Sequence, residues 1–313
     1  MTDRLAELEV LLAICDTGSL SAAARHLRRS PPTITRILAD LEARVGAPLV
    51  ERSSRRCQPT DAGRQLVEQS RNILIGYQEA VSEVAGRVAD PRGKVRITAP
   101  LFFGRDHVAP HIGAFLDLYE GLSVELSLSD QLVDLQDDTA DLAVRVGTIA
   151  DQTLTRRVVG TVRRVNVASP EYLQAHGTPA HPEALAGHRL IEHARMGAAT
   201  AWKFVEHGKP LSLDLPARFS VDHPDVALSA ARSGQGIVTV LSYQAALDVA
   251  AGRLVHVLTD FEPEPLPVSL AWVGRKSRLR RIRIAIDFLA ERLAQSLAEV
   301  PEGSTAAATA LRG

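Results

Sequence analysis

The segment from Ser19 to Arg36 constrains the fold more than any other part of this chain. Its sequence, SLSAAARHLRRSPPTITR, predicts two short helices joined by a tight turn. Ser30 suits the N-cap of the second helix, because its side-chain oxygen can accept an otherwise unpaired backbone N–H. Pro31 suits the first helical position, where its missing N–H is not needed. A helix of small residues, a turn and a newly capped helix together predict a helix-turn-helix.

In a helix-turn-helix the second helix lies in the DNA major groove, with its N-terminal residues facing the base edges. Thr33, Thr35 and Arg36 lie at that end, and their hydroxyl and guanidinium groups suit base and phosphate contacts. The net charge of the whole chain is −1 and indicates no nucleic-acid partner. Residues 25–60, however, contain eight arginines against three acids. This local charge favours double-stranded DNA as the partner over a solvated arginine-rich surface.

The length of 313 residues suits about two domains. The N-terminal segment carries acids where a signal peptide would be apolar, and no run of about 18 apolar residues occurs. We therefore expect a cytoplasmic protein without a membrane partner. The two cysteines, Cys15 and Cys57, form no disulfide framework or metal-ligand pattern. A redox role for Cys57, which follows two arginines, stays open.

The DNA-binding domain is predicted to span residues 1–59, with the helix-turn-helix at 19–38. A third helix should run from Pro31 to Val45 and end at Gly46. The polar, basic segment ERSSRRCQPT that follows has strand-like flanks and is predicted to form a wing. Its arginines would reach the DNA backbone or the minor groove.

A long linker helix is predicted for residues 60–90, beginning at Thr60 and Asp61 and running to about Val88. Its apolar side chains lie on one narrow stripe, which needs a partner, and a self-paired dimer is the simplest one. The alternative is that the stripe packs on the domains of its own chain. The members of the stripe are Leu66, Ile73, Tyr77, Val81, Val84 and Val88.

From Lys94 onward, short β-branched runs alternate with helical patterns, which predicts an α/β domain with mostly parallel sheets. About 205 residues is large for one such sheet and favours two lobes. We expect this domain at residues 91–298, with lobe I formed by 91–160 and 268–298 and lobe II by 161–267. Residues 299–313 are rich in Ala, Ser and Thr and are predicted to be a disordered tail.

Three separated stretches resemble the LysR-type transcriptional regulators. Residues 19–63 resemble the helix-turn-helix, wing and linker start of that family almost position by position. The segment VRITAPLFFGRDHVAP with DLAVRVG at 141–147 resembles the first lobe of its effector domain, and residues 165–191 resemble the beginning of the second lobe. The resemblance covers residues 3–298, and order, spacing and domain lengths agree together.

The resemblance implies a winged helix-turn-helix, a long dimerising helix and an effector domain similar to type 2 periplasmic binding proteins, usually working as a dimer of dimers. It places Pro32, Thr33 and Arg36 at groove-facing positions, Thr35 at a phosphate or base position, and Arg52 and Arg55 on the wing. With Ser30, these are the predicted DNA-binding residues; for each one, the alternative is a solvated position. The family often has Gln in place of Pro31, so we expect an altered operator preference, and often Leu in place of Pro59, which would shift the junction between wing and helix.

A ligand site is expected where strand ends face each other across a cleft between two lobes. The helix that starts after Leu101 should present free N–H groups to an anion, and Arg145 would add a bidentate donor for a carboxylate, unless it alternates outward. We therefore hypothesise that the ligand is a small organic acid, and an aromatic acid is one alternative. The predicted effector-binding residues are Ala99, Pro100, Leu101, Phe102, Asp130, Arg145 and Asp222.

Two other functions are alternatives: a solute-binding protein, and an α/β enzyme with a fused DNA-binding module. No GxSxG, HExxH or P-loop pattern is present, so neither a catalytic residue nor a cofactor or metal is expected. The missing signal peptide and the basic first 60 residues argue against a free-standing solute-binding protein. Effector-controlled transcriptional regulation through promoter DNA is the preferred function. The effector, the operator, and activation versus repression stay open.

Overall fold

The computed structural model describes residues 3–52, 57–84, 90–130, 135, 140–193 and 201–298. The chain divides into two compact units. The first contains Met1–Lys94, Tyr119–Ser123 and Leu279–Arg281, and the second contains Val95–Leu118, Val124–Arg278 and Ile282–Gly313. None of the described helices combines the length and the apolar character needed to cross a bilayer.

The first unit consists mainly of four helices and a two-stranded sheet. These elements are α1 (Arg4–Thr17), α2 (Leu20–His26), α3 (Pro31–Val45), β1 (Val50–Arg52), β2 (Cys57–Pro59) and α4 (Asp61–Val84). Strands β1 and β2 pair antiparallel. The predicted bounds of α3 agree with the structure, and the linker helix is described as far as Val84, since residues 85–89 lie outside the described part.

Helices α1 to α3 pack around one apolar cluster, which fixes the position of α3. Ile34 and Leu38 of α3 are fully buried against Leu11 and Ile14 of α1. Burying a side chain of this size stabilises the fold by about 1.5–3 kcal/mol. Helix α1 ends at Gly18 and helix α3 at Gly46. These glycines have left-handed φ angles of +66° and +78°, respectively. The apolar face of α3 therefore lies in the core, and its other face stays in solvent.

Two polar anchors hold the end of α3 and the strand after it. Arg44 forms an ion pair with Glu7 of α1, whose side chain is only 2% exposed. The Glu42 carboxylate accepts the backbone N–H groups of Leu49 at 2.8 Å and Val50 at 3.2 Å. These contacts fix the position of β1 relative to α3.

The second unit contains two five-stranded sheets. One has the order β4-β3-β5-β14-β6 and the other the order β11-β8-β12-β7-β13, and a hairpin of β9 and β10 accompanies them. The strands are β3 (Gly93–Ala99), β4 (Leu122–Leu128), β5 (Leu142–Val146), β6 (Leu154–Val162), β7 (Arg164–Ala168), β8 (Leu190–His193), β9 (Trp202–Glu206), β10 (Lys209–Leu213), β11 (Phe219–Val221), β12 (Ile237–Leu241), β13 (Val255–Val257) and β14 (Leu266–Val273).

The second unit also contains helices. They are α5 (Leu101–Phe103), a π-helical turn (Gly104–Val108), α6 (Ala109–Leu118), α7 (Pro170–His176), α8 (Pro224–Arg232), α9 (Ser242–Ala250) and α10 (Arg280–Ala298). The π-helical turn interrupts the helix that begins at Leu101 and was not predicted.

The expectation of mostly parallel sheets was wrong. Strand β14 pairs antiparallel with both β5 and β6, and β7 pairs antiparallel with both β12 and β13. Parallel pairs are β3–β5, β8–β11 and β8–β12. The reason is that the chain crosses between the sheets twice, from β6 into β7 and from β13 into β14, and each crossing adds antiparallel strands. Strand β6, with its largely exposed polar positions, was not predicted.

The two crossings are tied to each other. Arg163 lies between β6 and β7, and its guanidinium donates to Glu262, between β13 and β14, at 2.7 Å. Ser242 contacts the same crossing, because its backbone N–H donates to the Arg163 carbonyl at 2.8 Å. Burial raises the pKa of Glu262, and the Arg163 charge opposes that shift. Both connections between the sheets are therefore anchored at one place.

Candidate functional sites

The turn between α2 and α3 is built from backbone contacts. Arg28 has the left-handed φ of +52°, which is uncommon for a residue with a Cβ. The N–H of Arg29 then reaches back to the carbonyl of Ala24 at 2.9 Å, a Schellman-type closure of α2. This closure sets where α3 begins, two residues further on.

Ser30 caps α3 as predicted. Its hydroxyl oxygen accepts the N–H of Thr33 at 3.3 Å and also lies 2.7 Å from the Thr33 hydroxyl. Pro31 occupies the first helical position. The hydroxyl of Thr35 donates to the Pro31 carbonyl at 3.1 Å. The hydroxyls of Thr33 and Thr35 are thus held close to the start of the helix.

The start of α3 presents an exposed, positively charged surface. Pro32 is exposed, and the Arg36 side chain is 69% exposed, with Asp40 at 3.9 Å as an i,i+4 partner. An exposed pair of this kind contributes little stability, so Arg36 can exchange Asp40 for another anion. Further exposed cations of the same region are Arg25, Arg28 and Arg29. A helix N-terminus surrounded by arginines is a suitable surface for phosphates.

The wing is present as a short antiparallel pair. Arg52 of β1 lies opposite Cys57 of β2, and Val50 lies opposite Pro59. The tip of the wing, residues 53–56, lies outside the described residues, and so do Arg55 and the side chain of Arg52. The structure therefore describes the stem of the wing.

The second unit has a cleft of about 450 Å³ between its two sheets. This volume is in the range of small-molecule sites. Its described lining residues are Pro100, Asp130, Val146, Arg164, Ile191, Glu192, His193, Ala201, Trp202, Lys203, Pro224, Thr239, Val240, Leu241, Tyr243, Gln244 and Leu266. Both sheets contribute, as the strand-end argument expected, and of the predicted effector-binding residues Pro100 and Asp130 are among them.

The expected anion site at the start of α5 already holds a carboxylate. The N–H of Leu101 donates to Asp130 Oδ1 at 3.1 Å. Asp130 places its own negative charge at this helix end, so the Leu101 N–H is not free for an anionic ligand. A second anion would be repelled there.

The other predicted effector-binding residues lie off the lining. Arg145 is 8% exposed, and burial lowers its pKa, whereas its neighbour Val146 faces the cleft. The alternation of side chains along β5 explains this outcome. Ala99 is buried, and the Asp222 side chain is exposed outside the lining. Phe102 is buried, with its ring 5.5 Å from that of His223.

Several polar residues of the cleft were not predicted. Glu192 and His193 end β8, Arg164 begins β7, and Lys203 lies in β9. The run LIEH, two apolar residues followed by an acid and a histidine at a strand end, is the one sequence signal that points to the first two. Burial lowers the pKa of His193, whose ring also hydrogen-bonds the Asp222 backbone. A neutral imidazole that donates to a carbonyl keeps its other nitrogen as an acceptor.

An aromatic cluster borders the cleft. The Tyr243 ring meets Phe103 edge-on at 5.3 Å and His107 at 5.6 Å, and Phe103 stacks on His107 at 4.8 Å. Burial raises the pKa of Tyr243 well above its ordinary value, so its hydroxyl keeps its proton. The cluster connects α9, which lines the cleft, with the helix that starts at Leu101.

Two family profiles match this chain. Residues 5–64 match the bacterial regulatory helix-turn-helix protein, lysR family, and residues 89–294 match the LysR substrate binding domain. Among curated relatives, the chain is 31% identical to the probable HTH-type transcriptional regulator LtrA of Klebsiella pneumoniae, covering 92% of this chain and 94% of the relative. It is 29% identical to the HTH-type transcriptional activator TtdR of Escherichia coli strain K12, covering 95% and 96%.

Solved structures agree with these matches. The chain is similar to CrgA, a LysR-type transcriptional regulator from Neisseria meningitidis, with a TM-score of 0.60 at 27% identity over 94% of this chain and 99% of that one. It is also similar to full-length AphB of Vibrio cholerae, with a TM-score of 0.58 at 26% identity over 92% and 99%. A capped, arginine-rich helix-turn-helix and a two-sheet domain with a small-molecule cleft thus occur together, and the chain belongs to the LysR family of transcriptional regulators.

Proposed function

We propose that this regulator reads its operator with the first turn of α3 and the wing. Ser30, Pro32, Thr33, Thr35 and Arg36 would lie in or beside the major groove. Arg52 and Arg55 would contact the DNA backbone or minor groove. The observation that carries the proposal is the exposure of Arg36 beside a helix start that Ser30 already caps. The cap leaves the helix end preorganised before DNA arrives.

A gel-shift titration against the DNA upstream of the gene tests this assignment. Arg36→Ala should lower affinity about tenfold and reduce the salt dependence by about one phosphate contact. Arg156→Ala, which removes an exposed arginine from β6, serves as the matched control and should bind like the unsubstituted protein. Equal loss in both variants would show that only net charge matters and would contradict a role for α3.

The proposal assigns the cleft to a small organic acid that controls DNA binding. Support comes from its volume, its place between two sheets and the mixed polar and apolar lining. A ligand can shift the protein only if it binds two arrangements unequally. Closure of the sheets on the ligand, with a change in the spacing of DNA contacts, is the expected mechanism. In a regulator this cleft does not need catalytic groups.

The proposal includes self-association through α4. Three described residues of its apolar stripe are about half exposed, Ile73 at 48%, Tyr77 at 55% and Val81 at 51%, and Val84 is 91% exposed. Val88 lies outside the described residues. An exposed apolar stripe on a long helix favours a homodimer, and pairs of dimers would give a homotetramer.

We assign one proposed function to each domain, with the boundaries predicted from the sequence. Residues 1–59 would bind DNA, 60–90 would dimerise, and 91–298 would bind the effector, with lobe I at 91–160 and 268–298 and lobe II at 161–267. The tail 299–313, proposed to be disordered, lies outside the described residues. Because promoter DNA is the partner, the site of action would be the cytoplasm.

A further inference from the structure

Helix α3 presents one row of side chains to solvent, on the face opposite its buried side chains. A spacing of four, three and four residues keeps the members of this row on one face of the helix. We call them the exposed row of α3, and they are Pro32, Arg36, Ala39 and Ala43, all of which are exposed. If α3 lies in the major groove, this row faces the base edges.

The exposed row has a single polar side chain. Its proline and its two alanines are apolar, and Arg36 supplies a guanidinium whose side chain is 69% exposed. The other arginine of α3, Arg44, lies outside the row and is ion-paired with Glu7 of α1. Arg36 is therefore the cation of α3 that can meet a base.

The two threonines beside the row have their hydroxyls occupied within the helix. Both are half-buried. The Thr33 hydroxyl lies 2.7 Å from the Ser30 hydroxyl, and the Thr35 hydroxyl donates to the Pro31 carbonyl at 3.1 Å. Because a hydroxyl has one proton, Thr35 has none left to donate to a base. The guanidinium of Arg36 is thus the main hydrogen-bond donor that this surface offers.

Helix α3 also lacks the side chains that read adenine. Its sequence, PPTITRILADLEARV, contains neither Asn nor Gln. These amides are the groups that bind adenine with two hydrogen bonds in the major groove, whereas arginine binds O6 and N7 of guanine. Small apolar side chains contact the methyl group of thymine. The exposed row therefore has the chemistry for guanine and thymine and none for adenine.

We propose that α3 reads a guanine through Arg36 and thymines through Pro32 and Ala39, and reads no adenine in the major groove. Pro32 and Ala39 lie about 6 Å and about 4.5 Å along the helix from Arg36, a distance of one to two base-pair steps. Each half-site should then have a guanine with a thymine, on either strand, within about two base pairs on each side. This inference rests on the proposed function of α3 and narrows its target from promoter DNA in general to half-sites of this composition.

Gel shifts of the full-length protein with base analogues test the assignment, after footprinting of the DNA upstream of the gene has located the half-sites. The analogue 7-deazaguanine lacks the N7 that arginine binds, deoxyuridine lacks the thymine methyl, and 7-deazaadenine lacks the N7 that an amide would bind. All three keep the base pair.

At one guanine of each half-site, 7-deazaguanine should weaken binding about tenfold. Deoxyuridine in place of a neighbouring thymine should weaken it about fourfold, the value of one buried methyl group. The adenine analogue should leave the affinity unchanged. The inference is overturned if no guanine analogue weakens binding, or if an adenine analogue in a half-site weakens it about tenfold.

Variants assign the bases to residues. Arg36→Ala should bind guanine and 7-deazaguanine duplexes equally, because the group that distinguishes them is gone. Ala39→Gly should no longer distinguish thymine from uracil on one side of the guanine. Ala43→Gly lowers helix propensity by the same amount at another exposed position of the row and should keep the distinction. If Arg36→Ala still prefers guanine to 7-deazaguanine, another residue contacts that base and the inference is wrong.

The same titrations separate this inference from the proposed function. If binding is selective and is weakened by Arg36→Ala but not by 7-deazaguanine, the role of α3 stands and the guanine assignment fails. If the protein binds DNA without sequence preference, the proposed function itself fails.

Discussion

The carbonyl oxygen of Leu49 occupies the space that a Cβ on Gly63 would need. Thr60 holds the two segments together, because its N–H donates to the same carbonyl at 3.1 Å and its hydroxyl accepts the Gly63 N–H at 3.0 Å. This contact joins the residue before β1 to the first turn of α4. It explains why a glycine follows three residues after the threonine that caps the helix.

Gly63→Ala should therefore destabilise the first unit. The backbone has to shift to admit the methyl group, at a cost of about 1–3 kcal/mol in the free energy of unfolding. Chemical denaturation of the full-length protein measures this loss. Gly76→Ala lies on the same helix, where the added Cβ would meet only Leu279 Cδ2 at 3.4 Å, and should be neutral or stabilising by up to about 1 kcal/mol. Similar stabilities for both variants would contradict the steric argument.

The ion pair between Arg44 and the buried Glu7 carboxylate gives a second prediction. Arg44→Leu leaves the Glu7 carboxylate, 2% exposed, without its cation, and should lower the free energy of unfolding by about 3 kcal/mol. The double variant Arg44→Leu with Glu7→Leu removes both charges and should recover most of that loss. If the double variant is no more stable than the single one, packing by Arg44 rather than charge compensation is what matters.

Replacement of Tyr77 tests self-association through α4. Tyr77→Glu puts a charge on the exposed apolar stripe and should shift sedimentation velocity profiles toward the monomer. Gln78→Glu adds the same charge one position away, on a residue that is also exposed, and should leave the profile unchanged. A dimer that survives Tyr77→Glu would mean that another surface holds the copies together.

The buried His107 predicts a dependence of stability on pH. Burial lowers the pKa of His107 in the folded chain, whereas the unfolded chain has the ordinary value of about 6.5. Below about pH 6.5 the unfolded chain takes up the proton first, so the free energy of unfolding falls as pH falls through the folded pKa. The stabilising contribution is complete above that range. Thermal unfolding across this pH range measures the slope.

His107→Phe keeps a ring against Phe103 and Tyr243 but cannot be protonated, so it should flatten the slope. Ser296→Ala is the control, because it removes only the hydroxyl that lies 2.7 Å from His107 Nδ1. It should lower stability at neutral pH and keep the slope. An unchanged slope in His107→Phe would assign the pH dependence to other groups.

The helices of the DNA-binding half could be predicted from the sequence, because the residues that mark them act over a few positions of the chain. Ser30 and Pro31 mark a helix start, Gly18 and Gly46 mark helix ends, and the period of Ile34, Leu38 and Leu41 marks the buried face; each acts within a few residues. The structure has α3 at the predicted residues. Contact with DNA by Thr33 and Arg36 stays a prediction.

The sequence predicted the position of the cleft but few of its lining residues. Strand ends on both sheets indicated its position, and Pro100 and Asp130, which were expected to bind the effector, are among its lining residues. Arg145 was a reasonable choice by residue type, but one step in strand register turns its side chain away from the cleft. The helix end at Leu101 was expected to be open, and a residue 29 positions later in the chain fills it.

The sequence by itself determined the helices of the DNA-binding half, the order of the two family domains and the family, because caps, apolar periods and motif spacing act over short distances. The tertiary structure decided which charges share the cleft. Arg164, Glu192 and Lys203 lie on the separate strands β7, β8 and β9 but line the same cleft. Asp130, which follows β4 of the other sheet, accepts the N–H at the start of α5. Long-range packing and strand register set those neighbours, and no local pattern encodes them.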